Sequence, residues 1–473
     1  MNYSDFLASK RQLAGDFGFE PTFIPDALFP FQKDLVAWAT RKGRAALFAD
    51  CGLGKTLMQL VWAQNVIEKE NGRVLILTPL AVSHQTVAEA HKFGMEAARS
   101  NEGELPAKIV VTNYERLHYF NPEDFDGVVC DESSILKHYT GATQKQVTRF
   151  ASKLKYRLLC TATAAPNDFV ELGTSSEALG ELTHSEMLRI FFRQRDDKGQ
   201  KQDAKKEVFY EKAAQHFGKL AFRVSQTIGQ WRLKRHAHDD FWRWVSSWAR
   251  ACRKPSDCGF ENDGFNLPPL VEAEHVITPK SPADGFLFVI PACGLAEERE
   301  ERKRTLVERC EFAARLTEHD GSAVIWCHTN DEGDLLEEMI KDGRQIAGRT
   351  PDDQKEEIYN DFSNGELRVL IIKPKIGAWG LNWQHCNHVV TFASHSYEQY
   401  YQSVRRCWRF GQQRQVNVDI IATEGEVAVL ANMQRKARQA GEMFERLVSS
   451  MNRSLTMKGQ DKHKEKEELP LWL

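Results

Sequence analysis

Residues 49–56, Ala-Asp-Cys-Gly-Leu-Gly-Lys-Thr, put two glycines, an ammonium and a hydroxyl into one short turn. That combination suits a polyphosphate. Gly52 and Gly54 let backbone N–H groups turn toward an anion at the start of a helix, where the macrodipole also favours negative charge. Lys55 would neutralise β- and γ-phosphates, and the Thr56 hydroxyl would ligate Mg²⁺. Downstream, Gly127-Val-Val-Cys-Asp-Glu-Ser-Ser134 ends an apolar run in two adjacent carboxylates. Asp131 is placed to hold Mg²⁺ through water, and Glu132 to orient and deprotonate the water attacking a γ-phosphate. Either piece alone has a bland explanation, a tight turn or a solvated acidic turn, but in this order they read as one ATP·Mg²⁺ site.

These residues need elements to hold them. Ala45–Phe48 is an apolar run entering the glycine turn, and Leu57–Val61 continues as a helix after it. Further apolar runs recur at Val74–Pro79, Ile109–Asn113, Val128–Asp131 and Tyr156–Thr163, with longer mixed segments between them. Continuous rather than alternating apolarity indicates strands buried on both faces, hence a parallel sheet covered by helices. The rhythm returns at Ala323–His328, Val369–Lys373, His388–Ala393 and Val416–Thr423, which predicts a second α/β lobe. The expected division is a first lobe over 1–180, a mainly helical insertion and inter-lobe linker over 181–270, a second lobe over 271–445, and a charged tail with an apolar end over 446–473.

Composition bounds the function. The chain has 473 residues, 42% hydrophobic and 27% charged, enough for several cores. No run approaches the length of a membrane span, and the N-terminus lacks a basic region followed by an apolar one, so no membrane partner and a cytoplasmic location are expected. With a net charge of −3, the whole-molecule field does not draw in a polyanion, so any nucleic-acid contact is a local groove. Ten cysteines include no Cys-x-x-Cys, and His236, His238, Cys252 and Cys258 match no standard zinc spacing. In Trp231–Trp248 basic and aromatic residues interleave, as in single-strand-binding surfaces. Phe241, Trp244, Val245 and Trp248, however, fall on one helix face and predict core packing, leaving Trp242, Arg243 and Arg250 as candidate DNA contacts.

In order, these motifs resemble those of superfamily-two helicases, in particular the Swi/Snf-type double-stranded DNA translocases in their compact bacterial and bacteriophage forms. The match runs through nearly the whole chain. Phe31-Gln32 resembles the adenine-reading element, with Gln32 as the amide. Thr78-Pro-Leu-Ala-Val82 and Thr112-Asn-Tyr-Glu115 fall where the family contacts one DNA strand, which implies Thr78 and Tyr114 as nucleic-acid contacts. Asp131-Glu-Ser-Ser134 resembles the Asp-Glu-Ala-His box with serines in the last two places, and Thr161-Ala-Thr163 with Asn167 and Glu171 resembles the next motif.

In the second lobe Val324–His328 resembles the opening strand motif, and Gly348-Arg-Thr350 the loop gripping backbone phosphates. Gly377-Ala-Trp-Gly-Leu-Asn382 is similar to Gly-Gly-Leu-Gly-Leu-Asn; Gly348, Thr350, Gly380 and Asn382 are the implied contacts. Gln402-Ser-Val-Arg-Arg-Cys-Trp-Arg-Phe-Gly-Gln412 resembles Gln-Ala-x-x-Arg-x-x-Arg-x-Gly-Gln, making Gln402 a nucleotide contact and Arg406 and Arg409 the arginine fingers. Arg405 is an extra arginine, read as a solvated neighbour.

The resemblance implies two RecA-like P-loop lobes and a DNA-dependent ATPase translocating on or remodelling duplex DNA in a bacterial cell, with a phage-encoded origin one of its forms. Alternatives are a strand-separating DNA or RNA helicase, an ATP-gated DNA clamp, and the motor subunit of a nuclease assembly. The terminal Glu468-Leu-Pro-Leu-Trp-Leu473 resembles peptides that insert into the bacterial sliding clamp, a second expected partner, although docking back onto a lobe is the plainer reading.

Overall fold

Period-two alternation inside the apolar runs fixes how they are covered. In Arg44–Ala49 (β1), Ala45, Leu47 and Ala49 enter one core and Ala46 and Phe48 another, so helices must close both faces. The computed structural model describes residues 17–79, 82–194, 231–279, 295–377 and 382–460. After β1 come β2 (Val74–Thr78), β3 (Ala97–Arg99), β4 (Ile109–Asn113), β5 (Gly127–Asp131), β6 (Tyr156–Cys160), β7 (Phe192–Gln194), β8 (Trp231–Leu233) and β9 (Ala249–Cys252). The later strands are β10 (Leu270–Ile277), β11 (Ala323–Trp326), β12 (Gly343–Ile346), β13 (Val369–Ile372), β14 (His388–Phe392) and β15 (Val416–Thr423).

One sheet runs β3-β4-β2-β5-β6-β1-β9 and the other β10-β15-β14-β11-β13-β12, every pairing parallel. Two parallel α/β lobes are therefore present. β7 and β8 form a separate antiparallel hairpin. Because β1, β6 and β5 are neighbours, the loops leaving their carboxyl ends, at Asp50, Thr161 and Glu132, share one rim of the first sheet. Crevices outside that rim are where open α/β sheets bind ligands.

Two expectations about chain organisation need correction. Residues 231–252, assigned to an insertion and linker, build part of the first lobe: Phe241, Val245 and Trp248 of helix His238–Trp248 are fully buried in its core, with Phe48 edge-on to Trp248 at 6.2 Å. The residues that follow, Ala249–Cys252, pair alongside β1 as an edge strand, with Phe48 opposite Ala251. The helical face outweighed the basic composition because burying the aromatic face releases far more apolar area than solvating the arginines requires. The charged residues 195–206 of the expected insertion lie outside the described residues.

The second correction concerns residues after 445. A single helix spans Val427–Gln460, and it crosses from lobe to lobe: Val429, Leu430 and Met433 sit in the second-lobe core, while Met443, Phe444 and Leu447 sit in the first-lobe core. Its apolar residues recur at helical spacing past the expected boundary, so the helix is tied to both lobes rather than ending as a tail. Residues 468–473 lie outside the described residues. Among the described residues no helix is long and apolar enough to cross a membrane.

Candidate active site

The glycine turn adopts the geometry its composition predicts. Gly52 and Gly54 take φ of 86° and 72°, the left-handed region, and helix Lys55–Glu70 begins immediately afterwards. A Cβ on Gly54 would stand 2.4 Å from Nε2 of Gln32, so the close approach of that amide also needs glycine. The Gln32 amide donates to the Leu53 carbonyl at 2.8 Å and accepts from the Phe29 N–H at 2.8 Å, which fixes it against the turn. Lys55 Nζ donates to the carbonyls of Ala49 at 3.0 Å and Asp50 at 3.2 Å. Burial works against its charge, yet the nearby Cys51, Glu132, Asp131 and Asp50 outweigh it and raise its pKa.

The carboxylates close the opposite side of this pocket. Asp131 is buried and accepts from Gln59 Nε2 at 2.7 Å; burial is the main cause raising its pKa, with Gln59 and Lys55 opposing. Glu132 has φ 48° and ψ 51°, one of two non-glycine residues at positive φ among those described. Such strain persists only where the surroundings over-determine it, and here it aims the carboxylate into the cleft. Oε2 of Glu132 accepts from the Thr161 hydroxyl at 3.2 Å, and Thr161 Oγ1 accepts in turn from Thr163 N at 3.1 Å. Burial first, and Asp131 and Glu398, push the Glu132 pKa up to about 7 against Lys55 and Arg406. A carboxylate titrating there is matched to proton abstraction near neutral pH.

From the second lobe comes Gln402–Gln412. Arg406 is buried; burial lowers its pKa, while Cys51 and Glu132 favour its charge, so it shares the carboxylates' pocket. Arg409 lies beside the turn: a Cβ on Gly52 would stand 3.8 Å from Arg409 Cβ and 3.0 Å from Phe410 Cδ2. Burial, then Arg406, lowers the Arg409 pKa to about 10. Both guanidiniums thus face the glycine turn across the cleft. Gln402 is fully buried, and neither its Oε1 nor its Nε2 has a hydrogen-bond partner within the described protein, an unmet demand that a polar ligand would satisfy.

This donor set fits ATP with Mg²⁺. Backbone N–H groups at a helix start, an ammonium and two guanidiniums suit phosphate, and the Thr56 hydroxyl with the Asp131 carboxylate supplies the hard oxygens Mg²⁺ prefers. The structure brings Gln32, Gly52, Gly54, Lys55, Thr56, Asp131, Glu132, Arg406 and Arg409 to one cleft, with Gln402 one helical turn before Arg406, whose Nε donates to its carbonyl.

The nucleic-acid expectations divide by lobe. Thr78 is buried in β2, its hydroxyl directed to the Thr112 carbonyl at 3.4 Å; Tyr114 is buried and donates from its hydroxyl to the Asp131 carbonyl at 2.6 Å. Neither side chain is exposed to meet DNA. Both belong to the scaffold: Thr78 is buried at the end of β2, and Tyr114 sits in the first-lobe core. Trp242 is likewise buried, and Arg250 lies over the Trp38 ring at 4.3 Å, so neither serves as the expected contact; Arg243 is exposed, 3.7 Å from Asp240. On the second lobe Gly348 and Asn382 are exposed and Thr350 half-buried, its hydroxyl accepting from Ala347 N at 3.0 Å. Gly380 lies outside the described residues.

The sequence reading missed a set of contacts between the lobes. Arg405, expected to be solvated, is fully buried: Nη2 donates to Asp50 Oδ2 and to the Cys51 carbonyl, each at 2.8 Å. Tyr401 donates its hydroxyl to Asp50 Oδ1 at 2.5 Å. Glu398 pairs with Lys137 and accepts from Thr163 Oγ1 at 3.5 Å. The available signal was spacing, since 398, 401, 402 and 405 repeat at i, i+3, i+4 and i+7 along helix Tyr397–Val404 and the turn after it.

Residues 303–411 match the helicase conserved C-terminal domain family. A 180-residue stretch is 29% identical to the mouse DNA annealing helicase and endonuclease ZRANB3, covering 33% of this chain and 17% of that protein. The chain therefore spans about a sixth of that curated relative's length. Among solved structures, the Sulfolobus solfataricus SWI2/SNF2 ATPase core in complex with dsDNA aligns at 16% identity and TM-score 0.41, over 95% of this chain and 99% of that one. S. cerevisiae Dbp5 bound to RNA and ADP BeF3 aligns at 12% identity and TM-score 0.48, over 89% and 98%.

Proposed function

We propose that the chain is a helicase-like, ATP-hydrolysing protein of the Swi/Snf type, a DNA-dependent ATPase coupling hydrolysis to movement along, or remodelling of, duplex DNA. The observation that carries this reading is that charged groups from different lobes meet at one cleft: Lys55, Asp131 and Glu132 from the first, Arg406 and Arg409 from the second. A site completed only when two bodies meet makes hydrolysis depend on their closure. When bound, Mg²⁺·ATP supplies the phosphoanhydride to be broken, with Thr56 and Asp131 as the residues that would hold the ion. Glu132 takes the proton of the attacking water, while Lys55 and the two arginines stabilise negative charge at the phosphates. Exposed Gly348 and Asn382 on the second lobe, and the name of the mouse relative, support DNA as the track.

The test compares ATPase stimulation by duplex DNA of increasing length, single-stranded DNA and RNA at fixed salt, together with triplex displacement. A motor on duplex DNA gives a rate rising with duplex length and displaces the third strand. Unwinding of forked duplexes without triplex displacement would assign strand separation instead.

A further inference from the structure

Arg405 stands directly before the first arginine finger, and it is the most deeply committed charge between the lobes. Its side chain is 0% exposed and that of Asp50 is 7% exposed, so the pair is desolvated on both sides. Besides Asp50 and Cys51, the guanidinium has aromatic neighbours: its carbon lies 4.9 Å from the Trp408 ring centroid and 5.8 Å from those of Tyr401 and Phe410. Its Nε and Nη1 have no hydrogen-bond partner within the described protein. A buried pair satisfied on only one edge is a poor source of stability, because desolvation offsets most of the Coulombic gain. What such a pair does well is fix register.

Asp50 is an unusual anchor for that register. Its backbone carbonyl accepts from Lys55 Nζ, its Oδ1 from Cys51 N at 2.6 Å and Tyr401, and its Oδ2 from Arg405. Phosphates competing for the Lys55 ammonium would therefore act on the residue that holds the other lobe. On the far side, Arg405 is one peptide bond from Arg406, whose carbonyl accepts from Trp383 N at 2.9 Å and whose Nε donates to the Gln402 carbonyl at 3.2 Å. Displacement of Arg405 is thus transmitted to the fingers through a short, hydrogen-bonded turn.

We propose that Asp50, Tyr401 and Arg405 form an inter-lobe clasp in which Arg405 is a positioning residue: by engaging the glycine turn it sets the closed alignment of Arg406 and Arg409. This rests on the ATPase reading above. Closure and the fingers' alignment then form one equilibrium, biased by the clasp.

The experiment uses the full chain with linear duplex DNA. Steady-state ATP hydrolysis is measured for Arg405→Met, Arg405→Lys, Tyr401→Phe, Asp50→Asn and the Asp50→Asn/Arg405→Met double variant, alongside thermal melting and small-angle scattering of the nucleotide-free proteins. Asp50→Asn keeps the shape and the acceptor for Cys51 and Tyr401. Arg405→Met should lower kcat about tenfold with KM for ATP within about twofold, and Arg405→Lys should recover part of the loss. The double variant should be no slower than the slower single one, because both remove the same interaction. Arg405→Met should also enlarge the radius of gyration. A parental kcat in Arg405→Met, or multiplying losses in the double variant, would overturn the clasp. Should the parent hydrolyse no ATP with any nucleic acid, the functional reading fails separately; the clasp then stands or falls on scattering, and an unchanged radius of gyration in Arg405→Met rejects it.

Discussion

The two walls of the cleft are assembled differently. On the first lobe four of the candidate nucleotide-binding side chains are held from within: Gln32 by Leu53, Lys55 by Ala49 and Asp50, Asp131 by Gln59, Glu132 by Thr161. On the second lobe, Gln402 has no hydrogen-bond partner in the described protein for its amide, and Glu398, Tyr401 and Arg405 find theirs across the cleft. The first wall is braced within its own lobe, whereas the second, although Arg406 is held by Gln402 of the same lobe, is braced largely across the cleft. Binding and turnover should therefore be separable by mutation, which a site built on one rigid body would not allow.

The largest effects test that separation directly. Lys55→Ala should abolish hydrolysis through loss of nucleotide binding. Arg406→Ala and Arg409→Ala should each lower kcat by about 10³-fold or more while nucleotide affinity, measured by titration calorimetry, persists. Glu132→Gln should stop turnover and still retain ATP. The two-wall picture breaks if Arg406→Ala loses affinity as completely as Lys55→Ala does.

A smaller effect comes from pH. With its pKa pushed up to about 7, Glu132 is protonated, and ineffective as a base, on the acid side. Hydrolysis should rise with pH and level off above about 7, falling toward about tenfold per unit well below it. A rate flat from about pH 5.5 to 8 would remove Glu132 as the base and leave the first wall a binding surface only.

The smallest effects contrast the walls' nucleic-acid sides. Asn382→Ala and Thr350→Ala on the second lobe should weaken duplex DNA binding by about 1 kcal/mol each, the value of one hydrogen bond. Tyr114→Phe should leave DNA affinity unchanged and lower stability by about 1 kcal/mol, since its hydroxyl bonds the Asp131 carbonyl inside the core. Fluorescence anisotropy and thermal melting distinguish them; lost DNA affinity in Tyr114→Phe would return that residue to the interface.

How legible the molecule was depended on how local the cause of each feature is. The buried apolar strands were readable because their apolar runs have no solvated solution. Polar strands were not: Gly343–Ile346 carries Arg344 and Gln345, and β10 mixes exposed and half-buried residues because it is an edge with a single neighbour. The glycine turn was legible as a turn, and the Asp-Glu pair as the end of a buried strand. Thr78 and Tyr114 were misread because a motif gives the position of a residue along a strand end without saying whether neighbouring loops cover it.

By itself the sequence determined which stretches must be buried strands, where the chain turns at Gly52 and Gly54, and that Lys55, Asp131 and Glu132 are the candidates for phosphate chemistry. Those properties follow from side chains within a few residues of one another, acting through backbone sterics and apolar burial. Tertiary structure alone decided that Ala249–Cys252 joins β1, that helix Val427–Gln460 spans two cores, and that Arg405 meets Asp50, a partner 355 residues away. A guanidinium has the same formula in water and in a buried pair; which it enters depends on the desolvation and charge that a distant segment brings, and on how the two lobes close.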